Sequence, residues 1–494
     1  MKDMSEMSEM SEMSDMSEIS REPLDQYTFD QTHSTEATRA LAPAENGERS
    51  EPANLAGRIM ATRIHGKVAF ADLHDRTGSI QLIAEAEKTR AFEDFTSIHV
   101  GDHIGIHGLA GRSKRGEPSV YVSDWVTLAR TQVSFPNLGE LSDPELKARQ
   151  RYLDLAVNPD VMQRFMQRSR IVSGIRNMLD SEGFVAVETP ILQLVHGGAS
   201  ARPFETHHND LDVDLSLRIA PELYLKRLIV GGMERVYELG KVFRNEGSST
   251  RHNPEFTMME VYAAYWDYED QMDLTERMVA RLAMDLHGTT EIEYQGRGVD
   301  LTPPWDRKTM DGAVSAELGE EVNLETPIAH LRKLCDQFEI EYAKSVGPGA
   351  LIEKLFEKTV EKDLWGPVFV TDHPAEISPL AREHRTRPGY TERFEAIVAG
   401  RELCNAYTEL NDAEIQYERF LQQEGIKGVD AEAMPMDFDY VRALMYGMPP
   451  TAGMGIGIDR LAMLLTDAPS ISDVILFPTK RPDGFKLDET AFQK

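Results

Sequence analysis

Cysteine is nearly absent: 494 residues carry only Cys335 and Cys404. Two thiols cannot build a disulfide framework or a cysteine-based zinc ribbon, and they suit a reducing cytoplasm. No run of about 18 apolar residues occurs, so no membrane span is expected. The N-terminus is acidic and holds no apolar core of the secretory kind, so it does not read as an export signal. Bases are scarce as well: 53 lysines and arginines stand against 83 acids, a formal charge of −30. Such a surface repels nucleic acid in general, so any nucleic-acid contact must be local. Several familiar signatures are missing too. There is no GxxxxGK[ST] loop, no dinucleotide fingerprint, no HExxH and no Ser-His-Asp pattern, and His207 and His208 lack the spacing of a zinc pair.

What is present divides the chain. Residues 1–20 repeat Met-Ser-Glu or Met-Ser-Asp almost strictly, a period that matches neither helix nor strand. Up to Pro52 there are 13 acids against 4 bases. So much like charge with so little apolar surface cannot offset chain entropy, and residues 1–52 are expected to be a disordered acidic tail. Five strand-like runs follow at 55–64, 68–73, 79–85, 103–110 and 120–128, with turn signals at 66–67 and 77–78. They predict a small closed barrel of the OB type over residues 53–130. This stretch carries 10 bases and 9 acids, while residues 131–494 carry a net −22. The barrel is therefore the natural place for a local nucleic-acid contact. Residues 131–155 read as a linker. Residues 156–482 mix helices and strands without regular alternation, which predicts an α+β domain with an antiparallel sheet flanked by helices. A helical insertion is expected near 290–370 and a short tail at 483–494.

Four blocks carry unusual side chains. In residues 234–265 a strand enters a loop and returns. By strand parity Arg244 and Glu246 share a face, as do Phe256, Met258, Glu260 and Tyr262. Arginine suits a phosphate by its forked geometry, and phenylalanine offers a flat surface to a base. In residues 391–412, Ala399-Gly400-Arg401 reads as a hairpin turn flanked by Glu395 and Glu402, which would meet across the two strands. Two facing carboxylates repel unless a cation joins them, and beside a nucleotide Mg²⁺ is the natural one. Asn405, Tyr407 and Glu409 share a face, but Glu402 is out of parity with them. A bulge or twist is needed if all four serve one pocket. Residues 453–466 form a glycine-rich strand leading into a helix that begins with Asp459 and Arg460. The last block, 196–204 with 221–228, places Glu222 near a helix start. Standing alone, that carboxylate reads as a helix-end charge.

In this order the blocks resemble the three motifs of class II aminoacyl-tRNA synthetases. GlyPheValAlaValGluThrProIleLeu (183–192) is similar to motif 1, PheArgAsnGluGly through ProGluPhe to motif 2, and GlyIleGlyIleAspArgLeu to motif 3. GlyGlyAlaSerAlaArgProPhe, ArgIleAlaProGluLeuTyrLeuLysArgLeu, AsnProGluPheThrMetMetGluValTyr and AsnAlaTyrThrGluLeuAsnAsp resemble the lysyl-tRNA synthetase branch, over roughly residues 53–482. The resemblance implies an ATP-dependent ligase that charges tRNA(Lys) with L-lysine, works with Mg²⁺ and forms a homodimer with Pro190 at the interface. It implies that Arg244, Glu246 and Arg460 are catalytic and that His252, Asn253 and Phe256 join them in seating ATP. Glu395 and Glu402 would hold Mg²⁺. Gly198, Glu222, Glu260, Tyr262, Asn405, Tyr407 and Glu409 would form the lysine pocket. Arg63, Phe70, Gln81 and Glu117 would read the anticodon on the barrel, where an aromatic ring and polar side chains suit splayed bases. Competing readings are a relative that lysylates a protein or small acceptor, and a non-enzymatic RNA-binding paralogue. The first would lack the barrel, and the second would tolerate loss of Arg244, Glu402 or Arg460. An aspartate or asparagine specificity would call for cationic pocket groups where Glu222 and Glu409 stand.

Overall fold

Alternation along residues 53–130 closes into a ring. The computed structural model describes residues 27–426 and 434–482, in two units that divide after Pro159. In the first unit β1 (Arg49–His65), β2 (Val68–Asp75), β3 (Gly78–Glu85), β4 (His103–Arg112) and β5 (Pro118–Ala129) form a closed barrel, ordered β1-β2-β3-β5-β4. Leu55, Ile59, Leu73, Leu82, Ile104, Ile106 and Val120 fill its interior and are fully buried. Each contributes about 1.5–3 kcal/mol of hydrophobic stabilisation. Intervening side chains such as Phe70 and Gln81 face outward, as period-two alternation requires.

Two boundaries differ from the sequence expectation. The tail was expected to reach residue 52, yet residues 27–52 are part of the barrel unit. Ser34 caps a helix at Thr35–Ala40, and Thr35 donates to Asp75 through its backbone N (2.8 Å) and its hydroxyl (2.7 Å). Phe29 lies 5.1 Å from the His107 ring. Arg49 already opens β1, paired with Gly111 of β4. The physical reason is that these partners lie on distant strands, so local composition carries no trace of them. The Met-Ser-Glu repeat itself lies outside the described residues, as does the expected tail at 483–494. The expected linker is also packed. Helices Pro144–Arg149 and Arg151–Val157 join Leu141 and Val157 to Met60 of β1 in a small core. Buried Asp154 is held there by Arg151 and by Asn158 Nδ2 at 2.8 Å.

The second unit is built on one large sheet. Its remaining strands, in chain order, are β6 (Val185–Ala186), β7 (Leu192–Gln193), β8 (Glu205–His208), β9 (Val213–Leu217), β10 (Arg235–Phe243), β11 (Glu255–Ala264), β12 (Glu291–Tyr294), β13 (Arg297–Asp300), β14 (Asp306–Thr309), β15 (Val368–Thr371), β16 (Arg393–Val398), β17 (Arg401–Thr408) and β18 (Thr451–Gly457). Eight of them form the sheet β14-β15-β16-β17-β18-β11-β10-β6. It is antiparallel through its centre, as expected, but parallel at both ends, where β14 pairs with β15 and β6 with β10. The stretch expected as a helical insertion is therefore only partly one. Helices Met310–Leu318, Ile328–Gln337 and Pro348–Thr359 sit between two strands of the main sheet itself. Four-residue strands such as β14 and β15 are too short for periodicity to reveal.

One face of the sheet is apolar. Met259, Val261, Cys404, Ala406, Met454 and Ile456 pack against helices Pro159–Ser181, Tyr268–His287 and Ile458–Leu465. The opposite face carries Phe256, Met258, Glu260, Tyr262, Asn405, Tyr407, Gly453 and Gly455, all of which line one cavity of about 1290 Å³. The alternation that builds the core thus leaves the polar set on one side.

Candidate active site

The hairpin of β10 and β11 sets up one end of the cavity. Val242 pairs with Phe256 and Glu238 with Glu260, so the loop 244–254 rises at the sheet edge. Arg244 lies with its guanidinium carbon 5.2 Å from the centre of the Phe256 ring, and its buried Nε has no partner. Burial lowers the Arg244 pKa, while Glu402 and Glu246 pull the other way. Arg460 emerges from the first turn of helix Ile458–Leu465. Its Nη1 donates to the Glu402 carboxylate and backbone oxygen, both at 2.9 Å, and its Nη2 lies 3.5 Å from His252 Nε2. Burial and the Arg460 charge lower the His252 pKa, which favours the neutral ring. Asn253 is pinned between Glu255 O and Thr479 N. Glu246, His252 and Asn253 all line the cavity with Arg244, Phe256 and Arg460. The six residues expected to seat ATP are therefore brought together around a ring-sized surface and two guanidinium groups.

Glu395 and Glu402 do not face each other across the hairpin as expected. Glu395 is opposite Asn405, Ala396 opposite Cys404, and Ile397 opposite Glu402. Leu403 is the extra residue of a bulge. It returns Glu402 to the cavity face alongside Asn405 and Tyr407, which supplies the break in parity that the sequence required. The turn has positive φ at Ala399 (53°) and Gly400 (66°). Glu395 accepts from Arg393 Nη2 at 2.7 Å. Burial nevertheless pushes its carboxyl up to about 8, against Arg393 and with the Glu402 and Glu353 charges. Burial would raise Glu402 as well, but Arg460 and Arg244 outweigh it and hold it low. Both carboxylates stay open to the cavity, 21% and 39% exposed. Among the described residues no cluster of three or more acid, histidine or cysteine ligands surrounds a point. Two carboxylates, one of them short of positive charge, fit Mg²⁺ brought in with phosphate oxygens as its other ligands.

The amino-acid end lies beyond Glu260. Helix Glu222–Val230 turns Glu222 and Lys226 toward the sheet. Lys226 Nζ donates to Glu222 Oε1 and to Glu409 Oε2, both at 2.7 Å. Tyr407 OH donates to Glu222 Oε1 at 2.6 Å, and Tyr262 OH to Glu260 Oε2 at 2.9 Å. Burial and the Glu222 charge hold the Glu260 carboxyl well above the usual range. Burial lifts Glu409 to about 8, with Lys226 opposing and Glu222 assisting. Of these three buried carboxyl groups, Glu222 and Glu409 share one resident ammonium. Gly198 (φ +87°) lies over Glu222, where a Cβ would come within 2.8 Å of the Glu222 Cβ. Asn405 accepts from Arg393 Nε at 3.0 Å. Glu409 is the one expected pocket residue that does not line the cavity; it sits behind Gly453, whose missing Cβ would collide with Glu409 Oε1.

On the barrel, Arg63 pairs with Phe70, Asp72 with Gln81, and Gln81 with Ser119. Arg63 Nη2 reaches Asp72 at 3.3 Å, and Ser119 Oγ donates to Gln81 Oε1 at 3.1 Å and to Glu117 O at 2.9 Å. The four expected anticodon readers thus follow one outward stripe across β1, β2, β3 and the start of β5.

The sequence reading missed Lys226, Arg393 and Glu353, and it gave Asp459 no anchoring role. Asp459 is buried and accepts from Thr257 N (2.7 Å) and Arg168 Nη2 (2.5 Å), which fixes the helix that presents Arg460. Lys226 had a local signal, its spacing of four from Glu222 on a helix. Arg168 and Glu353 reach the site from distant elements and had none.

A family model described as tRNA synthetases class II (D, K and N) matches residues 143–481, and one described as an OB-fold nucleic acid binding domain matches residues 53–128. The sheet, its polar face and the barrel are thus those of a class II tRNA synthetase. The lysine–tRNA ligase of Clostridium acetobutylicum is 46% identical over 469 residues, spanning 94% of this chain and 90% of that protein. That of Moorella thermoacetica is 49% identical over 92% and 93% of the two chains, and that of Synechococcus sp. strain CC9605 is 50% identical over 93% and 94%. The chain belongs to the lysine–tRNA ligase family.

Proposed function

We propose that this ATP-dependent ligase activates L-lysine and transfers it to tRNA(Lys) through the residues gathered on the polar face of the sheet. The observation that carries the reading is the single cavity that joins an acid-rich pocket to paired arginines and an aromatic ring. Glu222 and Glu409 are two buried carboxyl groups that share the single ammonium of Lys226, and one oxygen of each is left over, which suits a substrate ending in an ammonium group. Phe256 stacks on adenine, with His252, Asn253 and Glu246 around the nucleotide. The lysine carboxylate attacks the α-phosphorus in line; a new P–O bond forms and the bond to pyrophosphate breaks. Arg244 and Arg460 lie where charge builds on the phosphates. Glu395 and Glu402 would hold Mg²⁺, which supplies further neutralisation of phosphate charge when bound. The 3′-terminal ribose hydroxyl of tRNA then attacks the carbonyl of lysyl-adenylate, and AMP leaves. No protein nucleophile is required, and placement dominates both steps.

The barrel stripe of Arg63, Phe70, Gln81 and Glu117 reads the anticodon. Val185, Ile191, Leu192 and Leu194 are large, exposed and close together in sequence around Pro190, a patch that a homodimer would cover. Among the described residues no helix is long and apolar enough to cross a membrane, and two free, buried cysteines suit the cytoplasm, where translation uses the product. The test is ATP–pyrophosphate exchange with each of the twenty amino acids, followed by tRNA charging. Exchange driven by lysine, then transfer to tRNA(Lys), is the expected result. Exchange with another amino acid would overturn the pocket assignment, and lysine exchange without charging would overturn the acceptor. Light scattering of the purified chain tests the dimer.

A further inference from the structure

Lys226 is an unusual occupant for a pocket that is to receive lysine. Its ammonium is fully buried, it does not line the cavity, and it approaches the acid pair from behind. It uses one oxygen of each carboxylate, Glu222 Oε1 and Glu409 Oε2. The other two oxygens are left over. Glu409 Oε1 is buried with no partner. Glu222 Oε2 makes no hydrogen bond among the described residues and belongs to a side chain that opens to the cavity. Each spare oxygen lies against a cavity-lining glycine, Gly198 or Gly453, where no Cβ fills the space. Groups facing Lys226 are Glu222 on its own helix, Glu409 just beyond β17, the Tyr407 ring at 5.9 Å and the Tyr440 ring at 5.3 Å, while Glu260 and Tyr262 on β11 stand against the same Glu222 and Glu409. Burial works against the charged form of Lys226, but Glu222 and Glu409 outweigh it, so the amine stays protonated.

We propose that Lys226 is a positioning and specificity-determining residue: it offsets one charge of the Glu222–Glu409 pair, pins one oxygen of each, and leaves the other two as the receptor for a single substrate ammonium. The inference rests on the reading of Glu222 and Glu409 as the lysine pocket. Lys226 already opposes the burial that lifts Glu409 to about 8; without it the buried pair would hold its proton still more tightly. The substrate ammonium would have to displace that more tightly held proton, so the weakening of lysine binding on acidification would set in at a higher pH than in the unmodified enzyme. A neutral side chain ending in a hydroxyl would be rejected less strongly, since a protonated pocket pairs with it readily.

The test uses the full-length enzyme and variants Lys226→Met and Lys226→Arg in lysine-dependent ATP–pyrophosphate exchange from pH 6 to 9. The neutral analogue is 6-hydroxynorleucine. Loss of one partner of a buried charge pair predicts a rise of about tenfold or more in the lysine KM of Lys226→Met. Its ATP KM should be close to that of the unmodified enzyme. Its lysine KM should begin to climb at a higher pH than that of the unmodified enzyme as pH falls, and preference for lysine over the analogue should shrink. Lys226→Arg keeps the charge, so it should keep the original pH profile even if its KM moves. An unchanged lysine KM and pH profile in Lys226→Met would overturn the proposal. So would a parallel loss in the lysine KM, ATP KM and kcat, or a new pH dependence shared by Lys226→Arg, since each marks a merely structural role. Glu222→Gln in the otherwise unmodified enzyme separates the underlying reading: if it leaves the lysine KM unaltered, the pocket assignment itself fails.

Discussion

Gly198 has φ +87°, and a Cβ added there would approach Glu222 Cβ to 2.8 Å and Ala220 Cβ to 3.1 Å. Backbone strain and crowding therefore fall on the carboxylate that faces the cavity. Gly198→Ala should raise the lysine KM by about tenfold, while the ATP KM barely moves; equal changes in both would show a general distortion. Glu395 gives a prediction with a sign. Its folded pKa of about 8 stands above the ordinary glutamate value of 4.5, so between those values the folded chain binds more protons than the unfolded one. The stability this group contributes is full below about pH 4.5 and lost as pH rises through about 8. Glu353, lifted to about 7 by burial, acts in the same direction. The ligand-free enzyme should melt at a lower temperature at pH 9 than at pH 6, and Glu395→Gln should flatten part of that slope. Affinity for Mg–ATP should rise toward pH 8 as the competing proton leaves. Persistence of both slopes in Glu395→Gln would remove Glu395 from this role.

At the scale of elements, parity along β17 already required a break between Glu402 and Asn405, and the register supplies it at Leu403. The hairpin turn at Ala399–Gly400 was readable because a glycine between two strand-like runs supplies the positive φ that a tight turn needs. Which residues lie opposite Glu395 was not readable, since register depends on the partner strand and on the bulge together. Helix Ile458–Leu465 was legible as the helix that follows the glycine-rich strand. Its orientation depends on Asp459, whose partners Thr257 and Arg168 come from a strand and a helix far away in sequence. Asp459→Ala would leave a partly buried arginine and a backbone N–H unpaired, and should destabilise the second unit by about 3 kcal/mol. Urea unfolding reads that loss. The ATP KM should rise as well, because Arg460 is the next residue. A unit as stable as before, with an unchanged ATP KM, would exclude the anchoring role.

At the scale of the molecule, chemistry and anticodon reading belong to different units, so substitutions should separate them. Phe70→Ala removes the one large aromatic ring on the barrel stripe, worth about 1–3 kcal/mol of base stacking. It should raise the tRNA KM in charging by about tenfold or more, while lysine-dependent exchange, measured without tRNA, proceeds at its usual rate. Loss of exchange in Phe70→Ala would show that the division of labour is wrong. Charge is divided in the same way. The barrel sequence is nearly neutral, and the net −22 of residues 131–494 favours local contact over a broad electrostatic hold on RNA.

Composition and pattern alone determined the class of each unit, the small barrel, the polar face of the main sheet and the residue types in each motif. They did so because strand alternation and glycine turns are local properties, with a period that can be read along the chain. Only the tertiary structure decided that residues 27–52 complete the barrel unit, that β14 joins the end of the main sheet parallel to β15, and that Lys226 stands between Glu222 and Glu409. Each of these depends on groups far apart in sequence. The hydrogen bonds and charge balance that hold them exist only once the chain has folded.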